Sequence, residues 1–139
     1  MNGFLLDTQV ISELIRPQPE ATVVAWLEAQ ESDRLFLSVF SIGEIEKGIA
    51  RVTDARRRAK LRKWLDEDVS ATFAGQVLPV DEAVSITWGK ALAQVNRPLP
   101  AIDSLIAATA LHHGLTMVTR NEADMELPKL VVFNPWEMN

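Results

Sequence analysis

Phe4-Leu5-Leu6-Asp7-Thr8 is an apolar run that stops abruptly at a carboxylate and then a hydroxyl. A helical pattern starts at once in Val10-Ile11-Ser12-Glu13-Leu14-Ile15. Together they read as a buried strand followed by a helix, with Asp7 delivered to the carboxyl edge of a sheet. In open α/β sheets that edge is where ligands bind. The fold then turns on whether later strands lie parallel to this one, and the chemistry on which other acids reach the same edge.

Working outward, Arg16-Pro17-Gln18-Pro19 stops the first helix near Ile15, because proline cannot continue the hydrogen-bond ladder. Glu20 to Gln30 follows as a second helix with Val23, Val24, Trp26 and Leu27 on its apolar face. Leu35-Phe36-Leu37-Ser38-Val39 is a second strand. In Ser41-Ile42-Gly43-Glu44 the serine and the glutamate have capping-box spacing. Glu44 therefore has two readings, as the cap partner or as an acid pointing into the site from the first turns of that helix. Gly43 leaves room for a backbone or a ligand to approach closely.

Ala55 to about Phe73 is a long helix with Leu61, Trp64, Leu65 and Val69 inward and Arg57, Arg58 and Arg62 outward. Gln76-Val77-Leu78-Pro79-Val80 is a short strand whose proline suits a sheet edge. Asp81 or Ser85 starts the next helix, with apolar content from Val84, Ile86, Trp88, Ala91, Leu92 and Val95, and Arg97-Pro98-Leu99-Pro100 ends it. Ala101 to Gly114 is an alanine-rich helix packing through Leu105, Ile106, Thr109 and Ala110, with Gly114 as its stop. Asp103 lies in its first turn, where a carboxylate suits the helix dipole whatever else it does. His112 and His113 sit at the opposite end, where positive charge is favourable. Leu115 to Thr119 is a strand, Arg120-Asn121-Glu122-Ala123-Asp124 a polar loop, and Lys129 to Phe133 a last strand before Asn134-Pro135-Trp136.

This alternation implies an α/β fold, a mainly parallel central sheet of four to five strands with helices on both faces. Right-handed crossovers place the strand C-termini along one edge. The chain has 139 residues, 47% hydrophobic and 24% charged, the composition of one globular domain spanning 1–139. It has no cysteine, which excludes disulfides and thiolate zinc sites. It shows no signal-peptide pattern and no apolar run of the roughly 20 residues a membrane helix needs, so the cytoplasm is the expected location. Net charge is −5, against a protein that simply coats nucleic acid. Yet Arg51, Arg56, Arg57, Arg58, Lys60, Arg62 and Lys63 are half of the 14 basic residues. Such a run is either a solvated helix face or a patch for a phosphate backbone.

Asp7, Glu44 and Asp124 reach the same edge of a parallel sheet, and Asp103 joins them if its helix begins there. Four carboxylates in a small space repel, so either some are protonated or a cation sits among them. With no cysteine, and histidines only at the far end of a helix, the ligands are hard oxygens suited to Mg²⁺ or Mn²⁺.

These residues also resemble a known family. Leu6-Asp7-Thr8 with Ser12-Glu13-Leu14, Ser41-Ile42-Gly43-Glu44, Ala101 to Ala108, and Val118-Thr119-Arg120-Asn121 with Asp124 are similar, in order, to the blocks of PIN domains. Specifically, they resemble the VapC-like toxins of bacterial toxin–antitoxin pairs. It implies a PIN-like three-layer α/β/α fold and a metal-dependent endoribonuclease. Asp7, Glu44, Asp103 and Asp124 would be its acidic cluster, with Thr8, Thr119 and Asn121 as supporting polar groups. It further implies Mg²⁺ with Mn²⁺ as substitute, a homodimer, and a small cognate antitoxin that occupies the site or the groove beside it. Gln9 and Met125 depart from residues the family often has there, and Glu122 is an alternative to Asp124.

The expected reaction is in-line hydrolysis of an RNA phosphodiester, with Asp7 and Asp103 as the direct ligands and Glu44 and Asp124 completing the set, partly through water. Arg57, Arg58 and Arg62 are candidate RNA-backbone contacts. Trp26, Trp64 and Trp88 fit helical packing better than base stacking. Two rivals are a PIN-like module that only binds, and a receiver-type phospho-acceptor domain. The second needs an extra acid beside Asp7 and a lysine after a late strand, where Leu6 and Arg120 stand.

Overall fold

The computed structural model describes residues 3–137. Strand β1 (Phe4–Leu6) leads into helix α1 (Thr8–Glu13) and then α2 (Ala21–Glu28). Strand β2 (Leu35–Ser38) runs directly into α3 (Val39–Ala50), which is followed by α4 (Ala55–Lys63), a π-helical stretch (Trp64–Val69) and a last turn, α5 (Ser70–Thr72). Strand β3 (Val77–Leu78), helices α6 (Glu82–Leu92) and α7 (Ala101–His112), and strands β4 (Thr116–Val118) and β5 (Val132–Phe133) complete the order. All five strands are parallel in the order β3-β2-β1-β4-β5. That differs from the 2-1-3-4-5 order of receiver-type domains. No helix among the described residues is long and apolar enough to cross a membrane.

The period of two along each strand splits the core into two layers. Leu6, Leu35, Leu37 and Val118 face α1 to α4 and the π stretch, against Val10, Ile11, Trp26, Ile45, Leu61 and Trp64. Leu5 and Met117 face the opposite way, onto Ala91 of α6 and Ile106, Ala107 and Ala110 of α7. Small alanines let α7 lie close to the sheet, which fixes where its first turn points.

Four local expectations change. Ser38, not Ser41, caps α3, its Oγ accepting from Phe40 N at 3.0 Å. The strand ends where its polar residue can take an orphan helix donor, so Ser41 falls inside the helix and the capping-box reading of Glu44 lapses. The basic helix does not run uniformly to Phe73. The wider π turns place Trp64 and Val69, five residues apart, both in the core. Strand β5 begins later than Lys129, which has a φ of 69° in a turn closed by Leu130 N to Leu127 O at 3.2 Å. An added Cβ at Gly43 would meet nothing within 4 Å, so no backbone of this chain uses the room it leaves.

Helix α7 ends as its glycine requires. Gly114 has a φ of 67°. Leu115 N donates to Ala110 O at 2.9 Å and Gly114 N to Leu111 O at 3.3 Å, the paired bonds of a Schellman stop. The chain enters β4 at once. Gly3, before β1, is crowded instead: a Cβ there would lie 2.8 Å from Arg34 O and 3.1 Å from Leu115 and Phe36. Gly3→Ala is expected to destabilise the protein by about 1–3 kcal/mol in urea unfolding, through overpacking against a backbone carbonyl. Gly43→Ala, on an exposed helix face, is expected to gain up to about 1 kcal/mol in the same assay.

Candidate active site at the carboxyl edge

Strand order reverses between β1 and β4, since β1 continues toward β2 while β4 continues toward β5. The connections leaving these neighbours diverge and open a crevice at their carboxyl ends. Asp7 stands there. Its N–H donates to Val118 O at 2.9 Å, extending the sheet by one step. Its Oδ1 caps α1, accepting from Thr8 N at 2.8 Å, and its Oδ2 accepts from Thr119 Oγ1 at 2.7 Å. Thr119 Oγ1 in turn accepts from Asn121 N at 2.9 Å. Asp7, 4% exposed, is thus held by the start of α1 on one carboxylate oxygen and by the residue after β4 on the other.

Glu44 is exposed on the second turn of α3 and held by Thr8. Thr8 Oγ1 lies 2.6 Å from Glu44 Oε1 and 3.0 Å from Ser41 Oγ. A hydroxyl has one proton, and the shorter contact to a carboxylate takes it. Ser41, fully buried, then donates to Thr8. Asp103 is half-buried in the first turn of α7. Its neighbour Ser104 fixes that turn, accepting from Trp88 Nε1 at 2.9 Å and donating to Ala101 O at 2.8 Å. Asp124 lies in a 3-10 turn (Glu122–Met125) pinned by the fully buried Met125 and by Arg97, which donates to Ala123 O. Glu122 turns aside and accepts from Asn134 Nδ2 at 3.4 Å.

The charges of Asp7, Glu44, Asp103 and Asp124 act on one another. Burial pushes the Asp7 carboxyl above its ordinary range, the Thr119 hydroxyl and Thr8 N–H pull it back, and Glu44 and Asp124 raise it again. Burial pushes Asp103 up to about 6, with Asp7, Glu44 and Asp124 adding to the rise. None of the ion pairs among the described residues touches these four acids: they join Arg16 to Glu13, Arg62 to Glu46 and Asp66, and Arg97 to Glu126. Among the described residues no three such side chains are already drawn close enough to hold a metal ion. The donor set, oxygen only and short of positive partners, fits a hard divalent cation.

The three candidate backbone arginines separate. Arg57 lines a groove with Thr8 and Glu44. Arg58 donates to Val52 O at 2.9 Å. Arg62 is forked onto Glu46 at 2.8 Å through both nitrogens and reaches Asp66 at 3.5 Å, which holds the Glu46 carboxyl below its ordinary range. Sequence reasoning read Ser41 only as a cap and Glu13 only as part of the family pattern. Glu13 is 3% exposed, accepts from Glu20 N at 2.7 Å and pairs with Arg16 at 3.1 Å, fastening the turn between α1 and α2. An acid set between Ile11 and Leu14 in an apolar stretch was its signal.

Asp103 holds its proton more tightly folded than unfolded, so its charge destabilises the fold progressively from about pH 4 and fully above about 6. In EDTA, Asp103→Asn is expected to melt higher than the wild type above pH 6, with the gap closing as pH falls toward 4. Melting temperatures across that range check this; a gap independent of pH would mean the acids do not strain one another.

Comparison with known proteins identifies the family. The PIN domain family profile matches residues 4–128. Toxin FitB of Neisseria gonorrhoeae is 36% identical over 135 residues, covering 95% of this chain and 97% of its own. VapC ribonuclease Y4jK of Sinorhizobium fredii is 36% identical over 136 residues, covering 96% and 97%. The crystal structure of FitAcB from Neisseria gonorrhoeae superposes with a TM-score of 0.92 at 36% identity, over 97% of this chain and 99% of that one. With the family profile, the sequence identity and the superposition in agreement, the chain belongs to the PIN-domain family, among its VapC- and FitB-like members.

Proposed function

We propose that this protein is a divalent-metal-dependent endoribonuclease, the toxin of a type II toxin–antitoxin pair, folded as one PIN-like domain over 1–139. It acts in the cytoplasm as a homodimer and is restrained by a small cognate antitoxin. The observation that carries this reading is the set of mutually interacting acids Asp7, Glu44, Asp103 and Asp124, to none of which a cationic side chain is paired among the described residues. Relatives named as a toxin and as ribonucleases support it, as does the structure of FitAB bound to a DNA fragment, at 34% identity.

Asp7 and Asp103 would hold the cation, Mg²⁺ or in its place Mn²⁺, with Glu44 and Asp124 engaged directly or through water. When bound, such an ion makes water nucleophilic and offsets the charge developing on a phosphoryl group. The chain's own residues set the rest. Thr119 and Thr8 N–H fix the plane of the Asp7 carboxyl, leaving one lone pair on each oxygen for a ligand. Thr8 swings Glu44 toward the same point. A carboxylate not engaged with the ion accepts the proton of the attacking water. The new bond forms at phosphorus in line with the leaving 3′ oxygen, which takes a proton from solvent. Asn121, anchored through its backbone to Thr119, offers its amide to a substrate phosphate.

Purified protein freed of any partner is expected to cut a mixed RNA pool with Mg²⁺ or Mn²⁺ and not in EDTA. Asp7→Asn is expected to lower the rate by about a hundredfold or more. Thr119→Val, which removes only the donor that orients Asp7, is expected to cost about ten- to a hundredfold and to recover partly at higher metal concentration. Full activity of Asp7→Asn, or cutting that persists in EDTA, would overturn the assignment.

A further inference from the structure

Asp7 and Glu44 are held by hydrogen bonds to their own carboxyl oxygens, from Thr8 N and Thr119 Oγ1 in one case and from Thr8 Oγ1 in the other. Asp103 and Asp124 are held differently. Among the described residues neither of their carboxyl groups has a hydrogen-bond or ion-pair partner. Their places are therefore set by the backbone that carries them, the first turn of α7 and the turn Glu122–Met125. Neither turn is capped by a side chain, since Pro100 before α7 and Asn121 before Glu122 make no such bond. An uncapped start leaves its backbone donors orphaned and its first turn loosely held.

Both turns are fastened instead from α6 and the loop that follows it, which supply none of the four acids. Trp88 donates from Nε1 to Ser104 Oγ at 2.9 Å, and Ser104, 1% exposed, donates to Ala101 O at 2.8 Å. The indole thus grips the residue next to Asp103 and, through it, the first residue of α7. In the loop after α6, Arg97 donates to Ala123 O, the carbonyl just before Asp124, and reaches Glu126 at 3.6 Å. The ion pair is exposed and contributes little; the bond to the carbonyl fixes the turn. A third bond, between Thr87 Oγ1 and His112 Nδ1 at 2.8 Å, ties α6 to the far end of α7.

We propose that Trp88 and Arg97 are positioning residues for the cation site: Trp88 sets Asp103 through Ser104, and Arg97 sets Asp124 through the Ala123 carbonyl. This rests on the nuclease reading of the four acids and names what sets the spacing of two of them. Carboxylates brought together without counter-charge repel. A turn released from its strut would carry its acid away, and a cation would have to draw it back at the expense of affinity. Groups standing behind metal ligands commonly govern binding in this way.

The test titrates Mn²⁺ into the full-length protein by calorimetry, without RNA, beside melting curves and cleavage of a mixed RNA pool. Trp88→Phe keeps an aromatic ring against the core and removes the N–H. Arg97→Met keeps the stem and removes the guanidinium. Each is expected to weaken Mn²⁺ binding about three- to tenfold, with cleavage recovering as Mn²⁺ is raised. Ser104→Ala removes the acceptor of the same bond, so it is expected to match Trp88→Phe, and the two together to do little more than either. In an Asp103→Asn background Trp88→Phe is expected to lose its effect on Mn²⁺ affinity while Arg97→Met keeps it; in Asp124→Asn the roles exchange. Thr87→Val breaks only the bond at the far end of α7, and Glu126→Gln removes only the ion pair. Both are expected to leave the affinity unchanged. If Trp88→Phe and Arg97→Met melt lower yet bind Mn²⁺ as the wild type does, the bonds are structural only and the inference is overturned. Effects that persist undiminished in both acid-to-amide backgrounds would overturn it too. Wild type that binds Mn²⁺ but cuts no RNA would sink the nuclease reading and leave the struts standing; wild type that binds no Mn²⁺ would sink both.

Discussion

One carboxyl group joins the two halves of the sheet. Asp7 takes a backbone donor from the helix that follows β1 and a hydroxyl donor from the end of β4, on opposite oxygens. Because the sheet reverses its order between those strands, this is the place where the polypeptide leaves a gap. The bridge closes the floor of that gap and sets a charged group on it. Everything else at the edge is positioned relative to this floor: Thr8 and Ser41 bring Glu44 over one side, and Thr119 anchors the loop that carries Asn121 and Asp124 on the other.

The arrangement is expensive for the fold. Burial and neighbouring acids lift the proton affinity of Asp7 and Asp103, and no arginine or lysine among the described ion pairs relieves them. Elsewhere the chain neutralises its acids readily, as Arg62 does for Glu46 and Asp66 and Arg16 for Glu13. The contrast locates function. A chain with 14 basic residues that leaves one acidic cluster alone is trading stability for a site that welcomes positive charge.

Much of this was legible before any coordinates. Strands of buried apolar residues, each followed by a helix pattern, carry the parallel α/β class in their spacing, and Asp7 at the end of such a run was already placed at the working edge. What the residue pattern could not resolve was set by geometry between distant segments. Ser41 and Glu44 have the spacing of a cap, yet Ser38 caps the helix because the strand stops there. Glu44 answers instead to Thr8, on another element. Arg57, Arg58 and Arg62 look alike in sequence and differ only in what surrounds them. Met125, an unusual residue beside an acid, proves to be the buried peg that holds Asp124 in its turn. The π stretch was invisible because Leu61, Trp64, Leu65 and Val69 all fit one face of an ordinary helix.

The bridge between Asp7 and Thr119 spans 112 residues of chain, nearly the whole molecule. Its timing follows from that separation. A ribosome releases Asp7 well before Thr119 and Asp124, and β1 lies between β2 and β4 and cannot complete its ladder until β4 arrives. A nascent chain, or one cut short before residue 119, therefore carries the first acid without the partner that orients it. The centre assembles only once both ends of that span have been made, so no shorter N-terminal stretch carries a half-made version of it.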